Sequence, residues 1–121
     1  MTNINEWEQT LFQLILHAGS ARSSAKEAAE LAETGQWDEA EAALANANDE
    51  QIQAHKINTS IITRAARGEA IEFSVLLVHA LDLLMLAWAE IDNSEQVIRL
   101  NKRISALEAE VKKWQNTASK K

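Results

Sequence analysis

From Trp7 the apolar and small residues recur in steps of four and three, at Trp7, Leu11, Leu14, Ala18, Ala21, Ala25, Ala28 and Ala32. That spacing predicts a helix whose seam packs against near-parallel neighbours. Bulky residues fill the first half of the seam and alanines the second, so neighbouring helices can approach closely there. Thr34-Gly35-Gln36 ends the helix, with Gly35 as the left-handed cap. Asp38 then suits the first turn of a second helix, where a carboxylate meets the positive dipole end. The second seam reads Ala40, Ala43, Leu44, Ala47, Ala54, Ile57, Ile61 and Ala65, interrupted by Gln51 and Asn58. Arg64 and Arg67 favour its C-terminus, Ala66-Arg67-Gly68-Glu69 is the second break, and Ser74 is the expected N-cap of a third helix.

The third helix has a different pattern. Between Phe73 and Ala89 the only polar side chains are Ser74, His79 and Asp82. A surface helix shows a polar face every three to four residues, so this segment is expected to have protein on most sides. One bundle cannot cover such a helix all round; the surplus face predicts an oligomer. Glu90 to Glu95 is polar, a place to fray or bend. Beyond it Val97, Leu100, Ile104, Leu107, Val111 and Trp114 form a heptad lasting about two and a half repeats. Alone that is too short to be secure, so it either folds back on its own bundle or pairs with copies of itself. The expected fold is therefore all-α, an antiparallel up-down-up three-helix bundle. Its helices fall at about 6–33, 37–66 and 74–114 in one domain (1–115), followed by a disordered tail (116–121).

Composition agrees with this picture and narrows the function. The chain has 121 residues, 46% of them hydrophobic, with no proline and three glycines, which suits one helical domain. With no cysteine it has no disulfide, thiolate nucleophile or cysteine metal site, as a reducing cytoplasm would allow. A net charge of -6 argues against nucleic acid. Met1 to Glu6 lacks the features of a signal peptide. The apolar stretch is interrupted by His79 and Asp82, so no membrane insertion is expected and the location is read as cytoplasmic.

Ionisable groups are costly in an apolar stretch unless they are paired or perform a task. Three residues apart, His79 and Asp82 share one helix face. Four readings compete. His79 is a neutral core histidine with Asp82 as its partner; or it joins His17 and His55 in a metal site, although no pair has the i, i+4 spacing of single-helix zinc sites. The hairpin Ala29 to Ala40 resembles a tetratricopeptide unit, but no second copy of the repeat follows. Finally, a neutral imidazole is a good nucleophile near neutral pH and can carry a phosphoryl group covalently.

Several segments, in order, resemble one family. They are His17-Ala18-Gly19-Ser20-Ala21-Arg22-Ser23, Gly35-Gln36-Trp37-Asp38-Glu39-Ala40, Glu50 to Thr59, Gly68-Glu69, and above all Ser74-Val75-Leu76-Leu77-Val78-His79-Ala80-Leu81-Asp82-Leu83-Leu84-Met85. From about Leu14 to about Arg103 the chain resembles the enzyme IIA proteins of the lactose/cellobiose (N,N'-diacetylchitobiose) branch of the bacterial phosphoenolpyruvate-dependent sugar phosphotransferase system. The resemblance implies a homotrimer of three-helix bundles. It implies a phosphotransferase carrier that accepts phosphate from HPr on His79 and passes it to a cysteine of enzyme IIB during uptake of a β-linked disaccharide. Asp82 matches an aspartate on the threefold axis, where three copies share a cation, usually given as Mg2+. Asp82 is thus an assembly residue. The family usually reads His-Ala-Gln-Asp-His-Leu-Met here, whereas this chain has Leu81 and Leu83 in place of the glutamine and second histidine. The alternative is accordingly a regulatory or scaffold trimer with impaired transfer. His55 matches a family histidine and is read as a packing residue. Arg22 would either place charge near the site or form a structural ion pair. The C-terminal heptad runs past the usual family end, where in a trimer it would make a parallel three-stranded coil.

Overall fold

A computed structural model describes residues 5–119 of the chain. Met1 to Ile4, the start of the segment read for a signal peptide, and Lys120-Lys121, the end of the expected tail, lie outside the described residues. Three helices make up the architecture: α1 (Glu6–Glu33), α2 (Trp37–Ala66) and α3 (Val75–Ser119). No strand occurs among the described residues.

The two connections close for the same stereochemical reason. Gly35 and Gly68 take φ of 76° and 85°, the left-handed region that a side chain disfavours. At the first, the Gly35 and Gln36 N–H groups donate to the Ala32 and Leu31 carbonyls at 3.1 and 3.0 Å, which absorbs the orphan carbonyls of α1. At the second, Gly68 and Glu69 donate to Ala65 and Arg64 at 3.0 and 3.1 Å, and the Arg64–Glu69 ion pair (2.7 Å) spans the turn. The starts are capped too: the Leu77 N–H donates to Ser74 Oγ at 3.1 Å, and the Glu8 N–H to Asn5 Oδ1 at 2.8 Å. Nothing in the pattern of apolar positions pointed to Asn5.

α1 is the shared helix. It packs extensively on both α2 and α3, which touch each other far less. Its buried residues are Leu11, Leu14, Ala18, Ala21, Ala25, Ala28 and Ala32, the expected seam apart from Trp7, which is half-buried. The α2 seam buries Ala40, Ala47, Gln51, Ala54 and Ile61. Gln51 stays in the core because its amide Nε2 donates to the Leu84 carbonyl of α3 at 3.1 Å. On α3 the core side is Ala80, Leu84, Ala87, Ile91, Ser94 and Ile98. Small residues thus line all three contact seams and let the backbones close together.

Two expectations for α3 are corrected. Glu90 to Glu95 does not fray: the helix runs through it unbroken, with Ile91 and Ser94 buried in the seam. Asn116 to Ser119, expected to be disordered, continue the helix, with Thr117 Oγ1 donating to the Lys113 carbonyl at 2.9 Å.

The alanine seam yields a stability prediction. Ala25 is fully buried and Ala45 exposed. Ala25→Leu should lose about 1–3 kcal/mol in urea denaturation through overpacking, while Ala45→Leu stays within about 0.5 kcal/mol of the parent. Equal stability of the two variants would mean that the helices are not in close contact at Ala25.

Candidate functional site

α3 carries two apolar faces. One is the core side described above. On the other, Val75, Val78, Met85 and Leu86 are exposed, Val75 by 82% and Met85 by 61%. Asp82 lies in the middle of this uncovered face and His79 on its flank, and both are exposed. The stretch that reads as wholly buried is therefore half core and half surface in the single chain. Neither the imidazole nor the carboxylate has a hydrogen-bond partner among the described residues. His79 is thus an open ring at the edge of an apolar surface, which excludes the reading of a satisfied core histidine.

The residues beside them have a different task. Leu81 and Leu83 are half-buried and pack against the main core cluster. They flank Asp82 and direct their bulk toward the bundle. Leu76 and Leu77 do the same at the start of the helix.

The other histidines do not join His79. His17 Nδ1 lies 2.8 Å from Glu50 Oε2, a half-buried link between α1 and α2. The His55 ring packs on Trp88, centroids 5.4 Å apart and tilted by 53°. Ala28 and Ile98 share one core cluster, so on parallel α1 and α3 His79 is level with the start of α1. At about 1.5 Å per residue, His17 stands about 12 Å further along the bundle and Arg22 about 20 Å, while the His55 ring is turned to Trp88. A three-histidine metal site is thereby overturned. No cluster of three or more His, Cys, Asp or Glu residues able to hold a metal ion occurs among the described residues. Arg22 is exposed and forms no ion pair among the described residues, so the structural ion pair is not formed within the chain. The His17–Glu50 and His55–Trp88 pairs went unseen in the sequence because each joins two helices, and periodicity along one helix does not report on its neighbour.

No helix of the described residues is long and apolar enough to cross a membrane. The His79 helix belongs to the bundle, and its second face is uncovered in the single chain.

Comparison with known proteins agrees with this geometry. The family model described as "PTS system, Lactose/Cellobiose specific IIA subunit" matches residues 9–102. The lichenan-specific phosphotransferase enzyme IIA component of Bacillus subtilis is 42% identical over 100 residues, covering 83% of this chain and 91% of that protein. The lactose-specific EIIA component of Streptococcus mutans is 40% identical over 102 residues, covering 83% and 98%. Among solved structures, the cellobiose-specific enzyme IIA of Bacillus anthracis superposes with a TM-score of 0.84 at 41% identity, covering 86% of this chain and 95% of that one. PtcA from S. mutans gives 0.78 at 32% identity, covering 84% and 99%. An open histidine on a three-helix bundle and a match running through almost the whole bundle agree: this chain belongs to the lactose/cellobiose IIA family of the sugar phosphotransferase system, whose members are phosphoryl carriers.

Proposed function

We propose that the chain accepts a phosphoryl group from phospho-HPr on His79 and passes it to the cysteine of an enzyme IIB. The observation that carries this is the exposed, unpartnered imidazole of His79 at the rim of an apolar face. An imidazole nitrogen attacks phosphorus, and the bond to the donor breaks as the new N–P bond forms. The IIB thiolate then attacks the same phosphorus, the N–P bond breaks, and neutral His79 is restored. Such a carrier hands its cargo from protein to protein, so it needs an approachable ring more than a closed substrate pocket. The net charge of -6 does not oppose an acidic donor, because docking depends on the local surface. The cargo serves uptake of a β-linked sugar, as the cellobiose and lichenan names of the relatives suggest.

The uncovered face of α3 is read as the seam of a homotrimer, which places His79 at the edge of a cleft between subunits. Three Asp82 carboxylates would then converge on the axis. One chain offers no cluster able to hold a metal among its described residues, so a cation would be shared, with one carboxylate from each copy. An all-oxygen donor set of that kind fits a hard ion such as Mg2+. Such an ion would offset part of the repulsion between the converging carboxylates and would take no part in transfer.

The regulatory or scaffold reading keeps one specific observation in its favour: Leu81 and Leu83 face the core and supply no polar group beside His79.

Three outcomes are expected. Incubation with phosphoenolpyruvate, enzyme I and HPr should add about 80 Da to the intact chain, and His79→Ala should abolish the gain. A chain that stays unmodified would leave the scaffold reading standing. Asp82→Leu should retain or tighten the trimer in sedimentation, since it removes mutually repelling charges from an apolar axis; release of folded monomers would remove Asp82 from the axis. Restoring the family residues with Leu81→Gln and Leu83→His should lengthen the lifetime of phosphohistidine if polar neighbours steady it, at a cost of about 1–3 kcal/mol in stability from lost core packing. An unchanged lifetime would show that those neighbours do not hold the phosphoryl group.

A further inference from the structure

We propose that the end of α3, from Leu100 to Trp114, is a parallel, in-register coiled coil between copies of this chain that continues the seam running past Asp82. The inference rests on the trimer reading above.

The family match ends at residue 102, yet α3 continues to Ser119. The cleft beside the α1–α2 turn extends along α3 as far as Glu108, so the remainder of the helix projects past the bundle. Of the two alternatives for the heptad, folding back is excluded: Leu100, Ile104, Leu107, Val111 and Trp114 are all exposed, Trp114 by 81%. A helix end of this kind is marginal in water unless something covers its apolar row.

Direction identifies the cover. At about 100° per residue, Leu100 points the same way as Asp82, and Leu107 and Val111 lie within about 20° of that line. Ile104 and Trp114 fall within about 40°, while the buried Ile98 lies on the opposite side. Because α3 is one unbroken helix, the projecting row and the Asp82 face are one surface. Whatever copy covers one is carried along to the other.

Charge selects the orientation. Val97, Ile104 and Val111 take the a positions of the heptad and Leu100, Leu107 and Trp114 the d positions. Arg103 is then a g residue and Glu108 the e residue five further on, the pair that meets across parallel, in-register helices with opposite charge. β-Branched a positions with leucine at d suit parallel strands, and by themselves favour two. The number of strands is therefore set by the bundle seam and the coil follows it.

The absence of native cysteine makes single-cysteine reporters clean in the full chain. Leu100→Cys and Val111→Cys should each link to their own copies on mild oxidation, in roughly two of every three chains of a trimer, since parallel register brings like positions within about 7 Å. Ala109→Cys, on the far side of the helix, should not. Asp82→Cys reports on the bundle seam independently and should link as well. If Asp82→Cys links but Leu100→Cys and Val111→Cys do not, the coil is wrong while the trimer reading stands. If none of the three links, both fall. Linking at only one coil position indicates an antiparallel or shifted pair and overturns the proposal, as does linking in the coil without linking at Asp82. As a second measurement, Leu107→Glu should raise the concentration at half-assembly at least about tenfold in sedimentation, because it buries a charge in the seam. Unchanged assembly would also overturn the coil.

Discussion

A helix has one circumference, and α3 divides its own between two apolar faces. The core side (Ala80, Leu84, Ala87, Ile91, Ser94 and Ile98) closes the bundle. The opposite side leaves Val75, Val78, Met85 and Leu86 in water. Burying an apolar side chain contributes about 1.5–3 kcal/mol, so a row of several left exposed is a strong drive toward association. Exposure on that side is why two ionisable groups can stand in so apolar a stretch of the single chain. Asp82 and His79 have no need of internal partners, because they occupy the side that the bundle itself does not use.

The alanine seam of α1 makes this division possible. Alanine has no side-chain entropy to lose and little volume, so α1 can hold α2 and α3 close along most of its length. With α1 serving both neighbours, α2 and α3 need touch only lightly, through contacts such as Gln51 on the Leu84 carbonyl. α3 is thereby held mainly from one side and keeps its outer face. The few surface ion pairs, such as Lys102 with Glu41 at 2.6 Å, are largely solvent-exposed and add at most about 1 kcal/mol each.

How much of this could be read in the chain depends on whether the information lies along one helix or between two. The α1 seam, Gly35 and Ser74 are signalled locally, by spacing or by the backbone conformation that a cap requires, and they stand where expected. Continuous hydrophobicity from Phe73 to Ala89 was ambiguous for a physical reason: periodicity shows that a helix has two apolar faces without saying which one its own chain covers. The polar run from Glu90 to Glu95 misled in the opposite way. Its two inward positions, Ile91 and Ser94, suffice to hold the helix, with Asp92, Asn93 and Glu95 its wet side and Glu90 half-buried. The pairing of His17 with Glu50 and of His55 with Trp88 was illegible, since each depends on the relative register of two helices. His79 and Asp82 were legible as the unusual residues, but their exposure was not.

Leu81 and Leu83 show how closely stability and chemistry are set against each other at this site. Both flank Asp82, and both turn toward the core, where an aliphatic side chain adds packing and a polar one would need a partner. A histidine in place of Leu83, one turn after His79, would have to lean outward to come beside the ring, leaving space against the bundle, whereas Leu81 points to the other side of α3. The two leucines pack against the core from either side of Asp82 and seat the helix that bears the ring. The rigid helix fixes the height and direction of the His79 side chain without any hydrogen bond to the ring.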